Sequence, residues 1–386
     1  MSKQITAGDR LGTQFTFNFA DDTPQEVVDG LKQAGENWSS VLKDNTKINV
    51  DFQYASAGDE DLLGGTRFSN ILLPYTLVRQ FLAEDVTSDT DRTAVANLPE
   101  NSIDVLINNT SENNGSDIPY LDNNGSINNS IIGLNTANAK ALGLSLEDLA
   151  ESFGTTPDVI AAELSAESDD YLIDNDTVDA SMELNSDIVW DFDPSDGISA
   201  NAVDFVGTVT HELGHVLGFG SDADFLDQFA DPDFVALDFL ELFSLSDVFE
   251  LLEVTDLEEI GELLNEADLN ALADSVAGDR LVSENAYTPT TFDLFRYTPE
   301  SFENSAIDFT VGDNGQYFSI DGGQTEIAPL STGIATGDGS QLSHWRDNTI
   351  SGDMFGIMDP TGMPGDLEQI SDIDLLAVDA MGWDII

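Results

Sequence analysis

The sequence predicts an α+β protein. Three observations lead there: an opening of two period-2 apolar runs flanking one amphipathic stretch, a strongly apolar helical repeat after residue 199, and a loop-rich last quarter closed by one helix. Residues 14–20 (QFTFNFA) alternate and read as a strand; 23–42 carry Val27, Val28, Leu31 and Trp38 at helical spacing; 48–54 (INVDFQY) alternate again. Further strands are expected at 103–108, 131–135 and 181–190, and helices at 137–142 and 146–153. Between them, 108–130 is rich in Asn, Ser, Gly and Asp and ends in LDNNGSINNS, a turn-rich loop whose side-chain oxygens could hold calcium. From 199 onward Val203, Val206, Val209, Leu213, Val216 and Leu217 recur at i, i+3 and i+4, with Ser199 or Asn201 as the cap and Gly218 and Gly220 as the stop. Residues 225–277 are acidic and Leu-rich and predict two or three short helices. The tail, 292–386, has turn signals between short alternating runs, and a last helix is expected at 373–381.

Charge excludes several partners. The chain has 386 residues, 12 Lys+Arg against 74 Asp+Glu, a formal charge of −62, three His and no Cys. Phosphate binding is driven by Lys and Arg, so nucleic acid is excluded, and anionic membrane surfaces are disfavoured by the same sign. No stretch approaches the ~20 apolar residues of a membrane span. Without Cys there is no disulfide, thiolate nucleophile or Cys-ligated zinc, so a transition metal must be held by His and carboxylates. Self-repulsion on this scale calls for salt or bound cations, calcium among them. That setting favours a secreted, extracellular protein, although residues 1–12 lack the apolar core of a secretory signal; a cytoplasmic location stays open.

The chemistry sits on the apolar helix as His211-Glu212-Leu213-Gly214-His215. Histidines at i and i+4 share a helix face, so both imidazoles can reach one metal, and the carboxylate between them can take a proton from water that the metal acidifies. Zinc suits three protein ligands with one open position. For the third ligand the sequence offers His344, in GDGSQLSHWRD, or Asp222 or Asp224 close behind the helix. Two of the three histidines of a His-poor chain in one motif argue against two surface residues on an amphipathic helix.

HELGHVLGF, a long insertion, SHW and then GIMDP resemble the leishmanolysin-type branch of the metzincin zinc metalloproteases, and related bacterial metalloproteases whose tails read like LSHWRD, GIMDPTG and ISDIDLLAVDAMGWD. The resemblance is strongest over 179–386. It implies a zincin-like fold with a twisted sheet and long helices in the N-terminal half, His211, His215 and His344 as zinc ligands, Glu212 as general base, and Met358 in a Met-turn beneath the metal. It also implies that 181–190 is the edge strand to which an extended peptide adds. Three features depart from these families. The chain lacks the many disulfides of leishmanolysins, and Pro360 stands where astacins and serralysins place a tyrosine ligand; the third-His position of shorter metzincins is Ser221.

The expected organisation is an N-terminal catalytic part, 1–220, and a C-terminal part, 221–386, divided into an acidic helical insertion (221–280) and a stretch (281–386) that delivers the third ligand and the Met-turn. The expected activity is zinc-dependent endopeptidase cleavage of protein or peptide substrates. Because no Lys or Arg lies between Lys140 and Arg280, neutral or cationic peptides are expected to be preferred. The competing reading is a non-catalytic, acidic calcium- and zinc-binding extracellular protein.

Overall fold

A computed structural model describes residues 2–9, 11–58, 62–160, 177–230 and 282–386. Along the chain run β1 (Ser2–Ala7), β2 (Gln14–Ala20), α1 (Gln25–Ser39), β3 (Lys47–Ala55), β4 (Gly64–Phe68), β5 (Asn70–Pro74), α2 (Tyr75–Glu84) and α3 (Asp89–Asn97). Next come β6 (Val105–Ile107), β7 (Tyr120–Asp122), β8 (Ile131–Asn135), α4 (Thr136–Ala141), α5 (Leu146–Phe153), β9 (Ala180–Asn185), β10 (Trp190–Asp191), β11 (Val203–Asp204), α6 (Phe205–Val216) and α7 (Ala223–Ala230). The last stretch holds β12 (Arg296–Tyr297), α8 (Pro299–Glu303), β13 (Ile307–Phe309), β14 (Tyr317–Phe318), β15 (Ala328–Pro329), α9 (Asn348–Ser351) and α10 (Asp372–Ala380). This is an α+β protein. Among the described residues no helix is long and apolar enough to cross a membrane.

The main sheet has the order β1-β2-β3-β9-β4. Strands β2 and β3 are parallel, with Phe15 opposite Ile48, and α1 makes the crossover between them. Pro24, with φ −57°, precedes α1, which buries Val27, Val28, Leu31, Ala34 and Trp38 against the sheet and against α6. Two contacts fix α1 on α6: the Phe205 ring fills the space where a side chain at Gly30 would begin, and Trp38 Nε1 donates to the Thr210 carbonyl at 2.8 Å. Burying Phe205, which is 0% exposed, is worth about 1.5–3 kcal/mol, more than that single hydrogen bond at about 1 kcal/mol.

The stretch 181–190 is neither one strand nor the edge. Pairing stops at Asn185, whose side chain holds the Leu62 carbonyl and the backbone of Ala57 and Asp187, and Trp190 joins β11 through the short β10 instead. Strand β9 lies inside the sheet between β3 and β4, and the edge beside the HExxH helix is the antiparallel β4. Its sequence, GGTRF, lacks the alternation that marks a strand. Strand β1 escaped notice for a related reason: SKQITA has one large apolar residue, Ile5, and five of its six residues are not buried.

The polypeptide on either side of residue 220 is interwoven. Strand β13 pairs in parallel with β6, Ile307 opposite Val105, and Leu42 forms a bridge with Ile385. The acidic stretch expected to be helical is described as far as α7, and 231–281 lie outside the described residues.

Two of the few cations lie inside. Lys140 meets Asp179 at 2.7 Å, with both side chains almost wholly buried, and the fully buried Arg296 donates to the Leu342 carbonyl at 2.9 Å beside Asp308 and Asp293. Other acidic groups face one another instead. Burial, and then the neighbouring Asp384 and Asp91, push the Asp44 carboxyl up to about 7; burial, with Asp384, Asp44, Asp91 and Asp379, does the same to Asp85. The folded state thus keeps protons that the unfolded chain releases near pH 4. This part of its stability is complete below that pH and is lost as pH rises through about 7. Asp44→Asn is therefore expected to raise the melting temperature at pH 8 and leave it nearly unchanged at pH 4. Equal shifts at both pH values would contradict this.

Candidate metal centre

Helix α6 begins where the Asp204 side chain accepts from the Gly207 amide at 2.9 Å; Asp204 is the cap, in place of Ser199 or Asn201, because β11 carries the chain as far as residue 204. The helix ends at Gly218, whose φ of +122° is costly for any residue with a side chain. Gly220 has no such backbone, and its place is set by the Phe68 ring packed on its Cα. Phe205, Val206, Val209, Leu213 and Val216 are at most 2% exposed, so the helix is rigidly seated while His211 and His215 stay half-buried on its remaining face.

Each imidazole is oriented by a backbone carbonyl. His211 Nδ1 lies 2.7 Å from the Ile357 oxygen, His215 Nδ1 2.5 Å from the Phe219 oxygen, and His344 Nδ1 3.3 Å from the Gln341 oxygen. A carbonyl only accepts, so each Nδ1 carries the hydrogen and each Nε2 presents a lone pair. The potential ligand atoms of the three rings lie within 4.8 Å of one another, and His211 Nε2 and His344 Nε2 are 3.1 Å apart. Two lone pairs at that distance repel. It is, however, close to the roughly 3.3 Å between two nitrogens of a tetrahedral zinc site with bonds of 2.0–2.1 Å. Burial, together with the neighbouring rings, lowers the His211 imidazole to about 3 and holds His344 well below the usual range, so neither relieves the repulsion by taking a proton near neutral pH.

Glu212 stands beside this cluster, 7% exposed; its Oε2 and the hydroxyl of Thr66 on the edge strand β4 are both buried and make no well-formed hydrogen bond, although Thr66 is near enough to favour the carboxylate. Burial pushes the Glu212 carboxyl up, and His215 and Thr66 act in the opposite direction. Three converging lone pairs and an orphaned carboxylate oxygen all lack a donor or cation. A metal with a water molecule on its open side supplies both, so the residues fit zinc.

Asp222 and Asp224 are committed elsewhere. Asp222 Oδ2 accepts from the Thr288 amide and Asp224 Oδ1 from the Leu342 amide, each at 2.6 Å, so both brace backbone, Asp224 in the loop that carries His344. Ser221 donates to Asp293 at 2.6 Å. The third imidazole in the cluster is His344.

Met358 is wholly buried, and a Cβ at Gly214 would lie 2.2 Å from its sulfur, so the glycine inside the motif lets this turn press against the helix. The turn is held by Asp374 on α10. Its carboxylate accepts from Trp345 Nε1 at 2.7 Å, from the Ile357 amide at 2.8 Å and from the Ser371 amide at 2.7 Å. One buried side chain thus fixes the residue after His344 and the residue whose carbonyl orients His211. Sequence reasoning missed Asp374, although Ser371 and Asp374 form a capping box, the signal that could have drawn attention to it. It missed Thr66 as well, whose strand has no apolar pattern.

Gly214→Ala brings opposed effects. Helix propensity gains about 1 kcal/mol, while overpacking against Met358 costs about 1–3 kcal/mol. The expected outcome is a lower urea midpoint than wild type, and a higher midpoint would show that Met358 is free to move aside.

No protein-family model, curated protein or solved structure matches this chain.

Proposed function

We propose that this protein is a zinc-dependent endopeptidase of the metzincin type, with zinc held by His211, His215 and His344, Glu212 as general base, and Met358 as the Met-turn residue. The observation that carries the reading is the convergence of three imidazole lone pairs beside a buried carboxylate oxygen that has no partner. A structural zinc site has no use for such a carboxylate, which argues against the non-catalytic reading.

Zinc in this position would supply Lewis acidity, polarising a peptide carbonyl and acidifying water. The chain's own residues do the rest. Glu212, with one carboxylate oxygen free of any well-formed hydrogen bond and made more basic by burial, takes a proton from water as the water oxygen bonds to the carbonyl carbon. It returns a proton to the amide nitrogen as the C–N bond breaks, leaving a carboxylic acid and an amine. Among the described residues no strand pairs with the outer edge of β4, and this edge, beside α6, offers main-chain groups to an extended substrate. The acidic surroundings favour neutral or basic residues near the scissile bond.

Glu212→Gln keeps the three imidazoles and removes the proton carrier, so bound zinc should stay at the wild-type level while casein hydrolysis falls by at least about 100-fold. Hydrolysis near the wild-type rate would remove Glu212 from the mechanism. His344→Ala should sharply lower zinc content measured by atomic absorption after dialysis; a full equivalent of zinc in that variant would assign the third ligand to another residue.

A further inference from the structure

The turn between β7 and β8 buries negative charge that no cation among the described residues neutralises. Asp122 is 2% exposed; its Oδ1 accepts from the Asn124 amide at 3.3 Å, and its Oδ2 is buried without a partner. Glu284, 3% exposed, comes from the segment packed on residues 127–129 and accepts from Asn124 Nδ2 and from the Tyr120 hydroxyl, each at 2.5 Å. Among the described residues, no Lys, Arg or His forms an ion pair with Asp122 or Glu284. Asn128, 1% exposed, has a second orphan: its Oδ1 accepts from Ser126 Oγ at 2.8 Å, and its Nδ2 has no partner. Turning that amide over keeps the Ser126 contact, with Nδ2 now donating, and places a carbonyl oxygen in the orphaned position.

Buried carboxylates without a counter-charge are costly unless they take up a proton or a metal ion. Burial first, and then Asp122 and Glu112, push the Glu284 carboxyl up. The donors are all hard oxygens, carboxylate and amide, on an irregular turn with no nitrogen or sulfur ligand, a chemistry that suits calcium and not zinc.

We propose that residues 122–129, together with Glu284, form a calcium site distinct from the histidine cluster, with Asp122, Glu284 and the Asn128 carbonyl among its ligands. Filling it ties the β7–β8 turn to the segment on which the chain returns after residue 281. From there the chain runs to Thr288, whose amide is held by Asp222 behind α6. Calcium at this site therefore stabilises the support of the metal-bearing helix without touching the imidazoles.

The test is thermal unfolding of protein stripped of metals and reloaded with zinc alone, with zinc plus millimolar calcium, or with zinc plus magnesium. Calcium, and not magnesium, should raise the wild-type midpoint by about 3 °C or more. Asp122→Asn should melt at or above wild type without calcium, because a repulsive charge is gone, and below it with calcium; Glu284→Gln should lose the calcium shift too, with zinc content unchanged. An absent calcium shift in the wild type, or an undiminished one in both variants, overturns the site. Should neither variant fold, terbium luminescence in the wild type decides: emission sensitised through Tyr120 and displaced by calcium supports the site, and no sensitised emission refutes it.

Discussion

The site depends on one constraint: three imidazoles are each fixed at Nδ1 by a backbone carbonyl, so their Nε2 lone pairs must face one another. Without a cation that arrangement is repulsive, and burial denies His211 and His344 the proton that would relieve it. The fold therefore pays for the arrangement elsewhere. A nearly all-buried helix holds two of the rings, and α1 clamps that helix through Trp38 and the Phe205–Gly30 contact. The third ring arrives on a loop braced by Asp224 and followed by Trp345, whose indole is anchored on Asp374.

Carboxylates do the bracing throughout. In a chain with 74 acidic and 12 basic residues, interior order comes from Asp side chains that accept backbone amides and hydroxyls. Asp374, Asp293, Asp224 and Asp227 each hold two stretches of chain this way. Such bonds are strong but leave negative charge inside, offset only in part by Arg296 and Lys140. The −62 is thus not only a surface property, and cations, protonic or metallic, become structural components wherever two buried carboxylates meet.

Much of this was legible in the sequence because the signals were local. The expected bounds of β2, β8 and α5 match the structure, as do those of α10 within one residue. His211 and His215 were readable because two histidines four apart share a helix face. His344 was one of three candidates for the third position, with Asp222 and Asp224, and was favoured by the resemblance that SHW and GIMDP carry; the structure brings the three histidines together. The edge strand was not readable: GGTRF has no apolar period, and its role is set by pairing with β9, more than 110 residues later. The carbonyls that orient the rings leave no trace in residue identity at all. Asp374 lies between these cases, visible as a capping residue but not as the holder of the turn at Ile357, a role that only tertiary contact creates.

The central claim, that these three imidazoles are built to hold one zinc, is tested most directly by X-ray absorption and anomalous diffraction at the zinc edge on the purified protein. The account predicts one zinc with three nitrogen ligands from His211, His215 and His344 at about 2.0–2.1 Å and a fourth position open to solvent. Zinc bound through aspartate oxygens at another place, or three imidazoles that stay metal-free in excess zinc, would contradict it.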